Sequence, residues 1–170
     1  LELLRAYRAL DEARGEAQTD ALTGLGNRRA FDAAVARVRD LHRRGSLKDA
    51  TLCVFDLDGL KTINDRDGHA AGDRLIVEAA RLLEQSSRRD DLLFRLGGDE
   101  FAMLVSSDAA RFRESWASRL EALNTALDAA HPGAGVSAGM ARLGEAVGDV
   151  PAWLALADGR MYADKRGASP

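Results

Sequence analysis

The sequence has 170 residues, of which 46% are hydrophobic and 30% are charged, and this predicts one soluble globular domain with its own core. The formal net charge of −3 offers no broad basic surface, which excludes a nucleic-acid backbone as partner and favours a small phosphate-bearing ligand. No apolar run approaches the roughly 20 residues that span a bilayer, so we expect no direct membrane contact.

The N-terminal stretch is predicted to be an amphipathic helix. Leu3, Tyr7 and Leu10 recur at helical spacing between charged residues. We assign residues 1–18 to a linker or signalling helix that could form a coiled coil, and residues 19–170 to the domain proper. The chain starts at Leu1 inside this helix, so we expect a further segment upstream.

The next part of the chain is predicted to form a helix, a buried strand, a functional loop and a second helix. Apolar residues from Phe31 to Leu41 follow a helical stripe that Gly45 closes. Residues 51–55 indicate a buried strand that contains Cys53, the only cysteine, which excludes an internal disulfide. Residues 56–72 are polar and interrupted by glycines, which predicts a loop, and residues 75–83 trace a helix.

The remaining pattern completes an α+β domain. Residues 92–96 and 101–105 are apolar runs on either side of a glycine turn, which is typical of a β-hairpin. Residues 112–127 form a helical stripe, residues 136–143 a strand, and residues 153–161 a last helix. We therefore predict a mixed, mostly antiparallel sheet of about five strands flanked by helices, with both tryptophans in the core.

Carboxylates occur at two places that this sheet could bring together. Asp99 and Glu100 lie in the glycine turn, and Asp56 and Asp58 end the first strand. Taken alone, the turn is typical of a solvated hairpin tip. Together with acids at a strand end, it could form an oxygen-rich site for Mg²⁺ beside a polyphosphate. No P-loop pattern occurs.

Five segments carry a resemblance to a known family, in its order and spacing. They are DALTGLGNRRAF from Asp20, DLDGLKTINDRDGHAAGD from Asp56, RRDDLLFRLGGDEF from Arg88, GVSAG from Gly135 and ADGRMYADK from Ala157. The chain resembles the GGDEF-domain family, the diguanylate cyclases. The resemblance implies that two GTP molecules are condensed into cyclic di-GMP with release of pyrophosphate.

The resemblance also implies a metal site. Its ligands would be Asp56, the carbonyl of Leu57, Asp99 and Glu100, holding Mg²⁺ or Mn²⁺, with two ions in each active site. Glu100 is either a metal ligand or a general base. The ribose hydroxyl is a very weak acid, so either Glu100 takes its proton or metal coordination makes it acidic enough.

Further residues match substrate-binding positions of the family. Asn64 and Asp73 match a pair that reads the guanine edge, although without the family both would be surface polar residues. Gly59 and Leu60 match positions whose backbone amides meet the phosphates, and Lys61 and Lys165 match phosphate-contacting lysines. Gly98 is a further substrate-binding position. Lys61 alone could equally be an exposed lysine at a helix start.

An RxxD pair, Arg88 and Asp91, precedes the glycine turn at the spacing of the family's inhibitory product site. Alone, such a pair is a common surface ion pair. At this spacing it implies an allosteric site for cyclic di-GMP, to which Arg95 would contribute.

The sequence departs from the family near its end. Ser169 replaces an arginine and Asp164 replaces an alanine, which predicts weaker phosphate anchoring unless Arg166 substitutes. These departures leave open a degenerate domain that binds GTP or cyclic di-GMP as a regulatory module without turnover. A cyclase for another nucleotide is disfavoured by Asn64 and Asp73.

The implied chemistry requires two substrates to meet head to tail. A two-fold homodimer would supply this geometry, and an upstream sensory domain would control it through the N-terminal helix. We expect a bacterial, cytoplasmic domain whose full-length protein could be anchored to a membrane through its upstream segments.

Overall fold

The computed structural model describes residues 18–105 and 109–167. The predicted helix of residues 1–18 therefore lies outside the described residues, apart from Gln18 at its end. In chain order the elements are α1 (Arg28–Arg43), β1 (Thr51–Asp58), α2 (Leu60–Asp67), α3 (His69–Ser86), β2 (Leu92–Gly97), β3 (Glu100–Val105), α4 (Ala109–Ala130), β4 (Gly135–Arg142), a 3₁₀ turn (Leu143–Ala146) and α5 (Val150–Gly167). None of the helices in these two ranges is both long and apolar enough to cross a membrane.

The strands form one antiparallel sheet in the order β2-β3-β1-β4, which confirms the α+β prediction. The described residues supply four strands rather than the expected five or so. Beside the outer edge of β2, Gly26 makes only a single parallel bridge to Phe94. The chain cannot extend this bridge into a strand, because Asn27 caps α1 immediately afterwards by accepting a hydrogen bond from the Ala30 amide at 3.1 Å.

Alternation along β1 divides the core between the two faces of the sheet. Cys53, Phe55 and Leu57 face α3 and α4, whereas Leu52 and Val54 face α1 and α5. Burial raises the pKa of the Cys53 thiol, in keeping with a role in core contacts alone. By the same alternation, Asp56 and Asp58 belong to the face that α1 and α5 cover.

Both tryptophans are buried, as predicted. Trp116 stacks on Phe112 with ring centroids 5.2 Å apart and also lies against Phe55. Trp153 is fully buried under the opposite face, and its indole N–H donates to the Ala141 carbonyl at 2.8 Å. That bond fixes α5 against β4, so the residues farther along α5 are held at one end of the sheet.

The predicted loop of residues 56–72 is wrong, because most of this segment is helical. Gly59, with φ of 84°, turns the chain directly from β1 into α2, and a side chain there would collide with the Gly133 carbonyl. Gly68, also with φ of 84°, separates α2 from α3. Since α2 buries only Ile63, its sequence has no apolar stripe to reveal a helix.

Candidate active site

The strand register brings the predicted acidic residues together at one end of the sheet. Asp56 in β1 lies directly opposite Glu100 in β3, and directly opposite residues of antiparallel strands point to the same face. The amide of Leu57 donates to the Asp99 carbonyl at 2.9 Å, which joins the turn to the end of β1. The turn itself needs glycine, because residue 98 adopts a φ of 44°.

Lys165 from α5 lies among these carboxylates. Its ammonium nitrogen donates to Asp56 Oδ1 at 2.5 Å and lies 3.6 Å from Asp58 Oδ1. The hydrogen bond to Asp56 raises the pKa of Lys165 against the opposing effect of burial, and the charges of Asp56, Asp58 and Asp99 raise it further. The structure therefore joins Lys165 to Asp56, which lies 109 positions earlier in the chain.

Ser137 of β4 is a member of this group that the sequence did not reveal. It lies opposite Asp56, is only 2% exposed, and donates its hydroxyl to Asp58 Oδ2 at 2.7 Å. The available signal was a hydroxyl residue in an otherwise apolar strand, because a buried hydroxyl needs a hydrogen-bond partner.

The donor set suits a hard divalent cation. Carboxylate and carbonyl oxygens are the ligands that Mg²⁺ and Mn²⁺ prefer, and the ammonium of Lys165 already holds a positive charge against Asp56. Within residues 18–105 and 109–167, however, no three His, Cys, Asp or Glu side chains are close enough to hold a metal by themselves. Asp56, Asp99 and Glu100 would hold such an ion only after their side chains rearranged, so ligation by these residues and by Leu57 stays a prediction.

Glu100 is the more exposed acid of the turn. Its side chain is 52% exposed, and Oε2 lies 3.7 Å from Nη2 of Arg28 at the start of α1. No pattern in the sequence singled out Arg28. An exposed ion pair of this length contributes little stability, so Glu100 can reorient toward a ligand at small cost.

The side chain of Asn64 has a buried hydrogen-bond acceptor that a ligand could use. Its Oδ1 is buried and accepts no hydrogen bond within the described part of the protein. A side chain at Gly72 would collide with this oxygen, so Asn64 lies beside the residue that precedes the exposed Asp73. The structure thus brings the two predicted base-reading positions to neighbouring turns of α2 and α3.

The predicted phosphate-contacting amides lie where β1 passes into α2. Gly59 is the N-cap and Leu60 the first residue of this helix, directly after the carboxylates of β1. Gly59 has no side chain, so it provides no side-chain cap. Lys61 is exposed in the first turn. A helix N-terminus of this kind favours anions, which agrees with the predicted role.

The RxxD pair, Arg88 and Asp91, lies beside two cavities. The Arg88 amide donates to Asp91 Oδ2 at 2.7 Å, and both residues line a cavity of about 200 Å³. Arg88 also borders a neighbouring cavity of about 440 Å³ together with Arg119, a residue that the sequence did not reveal. Burial raises the pKa of Asp91, whereas the Arg88 amide and the charges of Arg88 and Arg119 oppose that rise.

Arg95 lines neither of these cavities. Its guanidinium donates to both carboxylate oxygens of Asp20, at 3.1 and 3.2 Å, and to the Gly98 carbonyl at 2.9 Å. Thr23 holds the same Asp20 carboxylate through its amide and its hydroxyl. Arg95 therefore ties the turn that carries Asp99 and Glu100 to the segment before α1, and a role in product binding stays a prediction.

The departures near the C-terminal end have a partial structural explanation. Asp164 Oδ2 accepts a hydrogen bond from the Ala138 amide at 2.9 Å, so its carboxylate is engaged by the outer edge of β4. The Arg166 guanidinium lies 5.9 Å from the centre of the Tyr162 ring. Ser169 lies outside the described residues.

The chain is similar to known proteins along most of its length. The family model for "Diguanylate cyclase, GGDEF domain" matches residues 17–169. The probable diguanylate cyclase DgcC of Escherichia coli K12 is 36% identical over 150 residues, which cover 86% of this chain and 40% of DgcC. The diguanylate cyclase TpbB of Pseudomonas aeruginosa is 35% identical over 159 residues, which cover 90% of this chain and 36% of TpbB.

Among solved structures, the chain is similar to the GGDEF domain of DgcB from Caulobacter crescentus in complex with c-di-GMP. The TM-score is 0.75 and the identity 30%, over 90% of this chain and 92% of the DgcB domain. The similarity covers nearly the whole DgcB domain but less than half the length of DgcC and TpbB.

Proposed function

Because this chain belongs to the GGDEF family of diguanylate cyclases, we propose that it condenses two GTP molecules into cyclic di-GMP and releases pyrophosphate. The observation that carries the proposal is the register of β1 and β3. It puts Asp56 and Glu100 opposite each other and bonds the backbone of Asp99 to the end of β1. Acidic residues at the end of β1 and at the adjoining turn thereby lie at the same end of the sheet, where divalent ions for phosphoryl transfer would be held.

In this mechanism Asp56, Asp99 and Glu100 would hold the divalent ions, Mg²⁺ or Mn²⁺, with help from the Leu57 carbonyl. The ions would neutralise charge on the phosphate oxygens and increase the acidity of the attacking 3′-hydroxyl. Glu100 keeps both of its proposed roles. Its exposed side chain can turn toward the ions or accept the proton of the hydroxyl directly.

The other residues of the site orient the nucleotide. We assign the guanine edge to Asn64 and Asp73, because the buried Asn64 Oδ1 lacks a hydrogen-bond partner in the described protein and a guanine N–H would supply one. We assign the phosphates to the lysines and to the start of α2, namely Lys61, Lys165, Gly59 and Leu60, with Gly98 allowing close approach at the turn.

Each chain supplies one site, so we propose that two copies form a two-fold homodimer in which each GTP attacks the other. An upstream sensory domain would control this alignment through the segment before residue 19. The rate per subunit should fall when the protein is diluted below its dimerisation constant. A rate per subunit that stays constant on dilution would contradict the dimer.

We also propose feedback by the product at Arg88 and Asp91. The support is the pair of adjoining cavities that Arg88 borders, the larger of which Arg119 also lines. Arginines recognise both guanine edges and phosphates. Isothermal titration of cyclic di-GMP should give much weaker binding to Arg88→Ala than to the unmodified protein, and equal binding would contradict the feedback site.

The experiment that tests the proposed reaction is incubation of the purified protein with GTP and Mg²⁺, followed by separation of the nucleotides and mass spectrometry. We expect cyclic di-GMP and pyrophosphate, and neither product from Asp99→Ala. Binding of GTP without turnover would instead establish the degenerate module, for which the Lys165–Asp56 bond and the absence of a ready metal site in the described residues are the favouring observations. Another cyclic product would point to a different nucleotide.

A further inference from the structure

Lys165 lies where a divalent cation would need to bind. Its ammonium contacts Asp56 Oδ1 at 2.5 Å and is 3.6 Å from Asp58 Oδ1. The Asp56 side chain is only 15% exposed, so little of its surface is left for a second cation. Two cations at one partly buried carboxylate repel each other strongly, because water screens them poorly there.

Asp58 offers the ammonium a second partner. Ser137 donates to Oδ2 of Asp58, and the other carboxylate oxygen, Oδ1, is the one nearest to Lys165. Ser137 is 2% exposed, so water cannot easily compete for its hydroxyl. The bond therefore fixes Asp58 with one oxygen directed at the ammonium.

We infer that Lys165 competes with a divalent cation for Asp56, and that Asp58, oriented by Ser137, retains the ammonium when the cation binds. This inference rests on the proposed function, which makes Asp56 a metal ligand. It gives Asp58 and Ser137 positioning roles for the same site. A consequence is cooperative loading, because nucleotide phosphates that attract Lys165 away from Asp56 also favour the cation there.

The test measures binding of Mn²⁺ alone, without nucleotide, to the 170-residue protein by the electron paramagnetic resonance signal of free Mn²⁺. Lys165→Met keeps a long apolar side chain and removes the charge. We expect it to lower the Kd for Mn²⁺ roughly tenfold, since a like charge within about 4 Å is removed. Lys48→Met is the control with the same charge change, because Lys48 precedes the other end of β1, whose first residue is roughly 17 Å from Asp56 by strand rise.

Ser137→Ala tests the role of Asp58 without a change of charge. We expect it to weaken Mn²⁺ binding about twofold when Lys165 is present, because a freely rotating Asp58 is a poorer partner for the ammonium. In the Lys165→Met background the same substitution should have no effect. An equal effect in both backgrounds would overturn the role of Asp58 and Ser137.

The competition is overturned if Lys165→Met binds Mn²⁺ no more tightly than Lys48→Met does. Circular dichroism checks that each variant is folded. If Lys165→Met is unfolded, Lys165→Gln is used in its place. GTP turnover by the unmodified protein is assayed in parallel. Turnover with no effect of Lys165 on Mn²⁺ binding refutes the inference alone. Tighter Mn²⁺ binding by Lys165→Met without turnover refutes the proposed reaction alone. Absence of both Mn²⁺ binding and turnover refutes both.

Discussion

Arg95 is expected to stabilise the turn that carries Asp99 and Glu100, and Arg95→Met should reveal this. The Arg95 and Asp20 side chains are 12% and 22% exposed, and the guanidinium also bonds the Gly98 carbonyl. Breaking a fully buried pair costs about 3 to 5 kcal/mol. Because the Asp20 carboxylate keeps its bonds from Thr23 and can regain water, we expect a loss of about 2 kcal/mol in the free energy of unfolding.

Urea unfolding followed by tryptophan fluorescence measures this loss. Asp20→Asn and the double variant complete a cycle, in which we expect a coupling of about 1 to 2 kcal/mol between the two positions. Arg81→Met is the control, because Arg81 pairs with Glu78 on the exposed face of α3 and should not change the midpoint measurably. A coupling below about 0.5 kcal/mol would refute the view that this pair anchors the turn.

Three further predictions follow from particular contacts. Gly72→Ala should raise KM for GTP roughly tenfold with little change in kcat, because the added methyl group would displace Asn64. The control Gly159→Ala, which has open space around it, should change neither constant. Equal KM values for the two variants would contradict the role of Asn64. Burial alone would raise the pKa of Asp20, but hydrogen bonds from Thr23 and Arg95 lower this pKa below its usual value, so the stability that Asp20 contributes is present above about pH 4 and is lost as the pH falls further. The free energy of unfolding should therefore fall less on acidification for Asp20→Asn than for the unmodified protein. Equal losses in the two proteins would contradict this. Asp164→Ala should lower the free energy of unfolding by about 0.5 kcal/mol by freeing the β4 edge, and an unchanged urea midpoint would exclude that role.

Much of the fold was predictable because its elements bury regular apolar stripes. The stripe from Phe31 to Leu41 predicts α1, and alternate residues of β1 face opposite sides of the sheet. The short helix α2 was not predictable in this way, since Ile63 is its only buried residue. The expected count of about five strands exceeds the four that the described residues form.

The part of the candidate site that comes from adjacent strands was predictable from the sequence. Acids at the end of β1 and in the next hairpin meet because a hairpin strand pairs with β1. Long-range partners were not predictable from spacing alone. The bond from Ser137 to Asp58 joins residues 79 positions apart, and that from Arg95 to Asp20 joins residues 75 apart, so both exist only once the sheet has formed.

The central claim is that Asp56 and Asp99 act as one catalytic set, and the initial rates of Asp56→Asn, Asp99→Asn and the double variant test it most directly. Residues that act as a unit are strongly non-additive, so each single change should reduce the rate of cyclic di-GMP formation roughly a thousandfold and the double change hardly more. A double variant whose loss is the product of the two single losses, or a single variant that keeps its rate, would contradict a shared site.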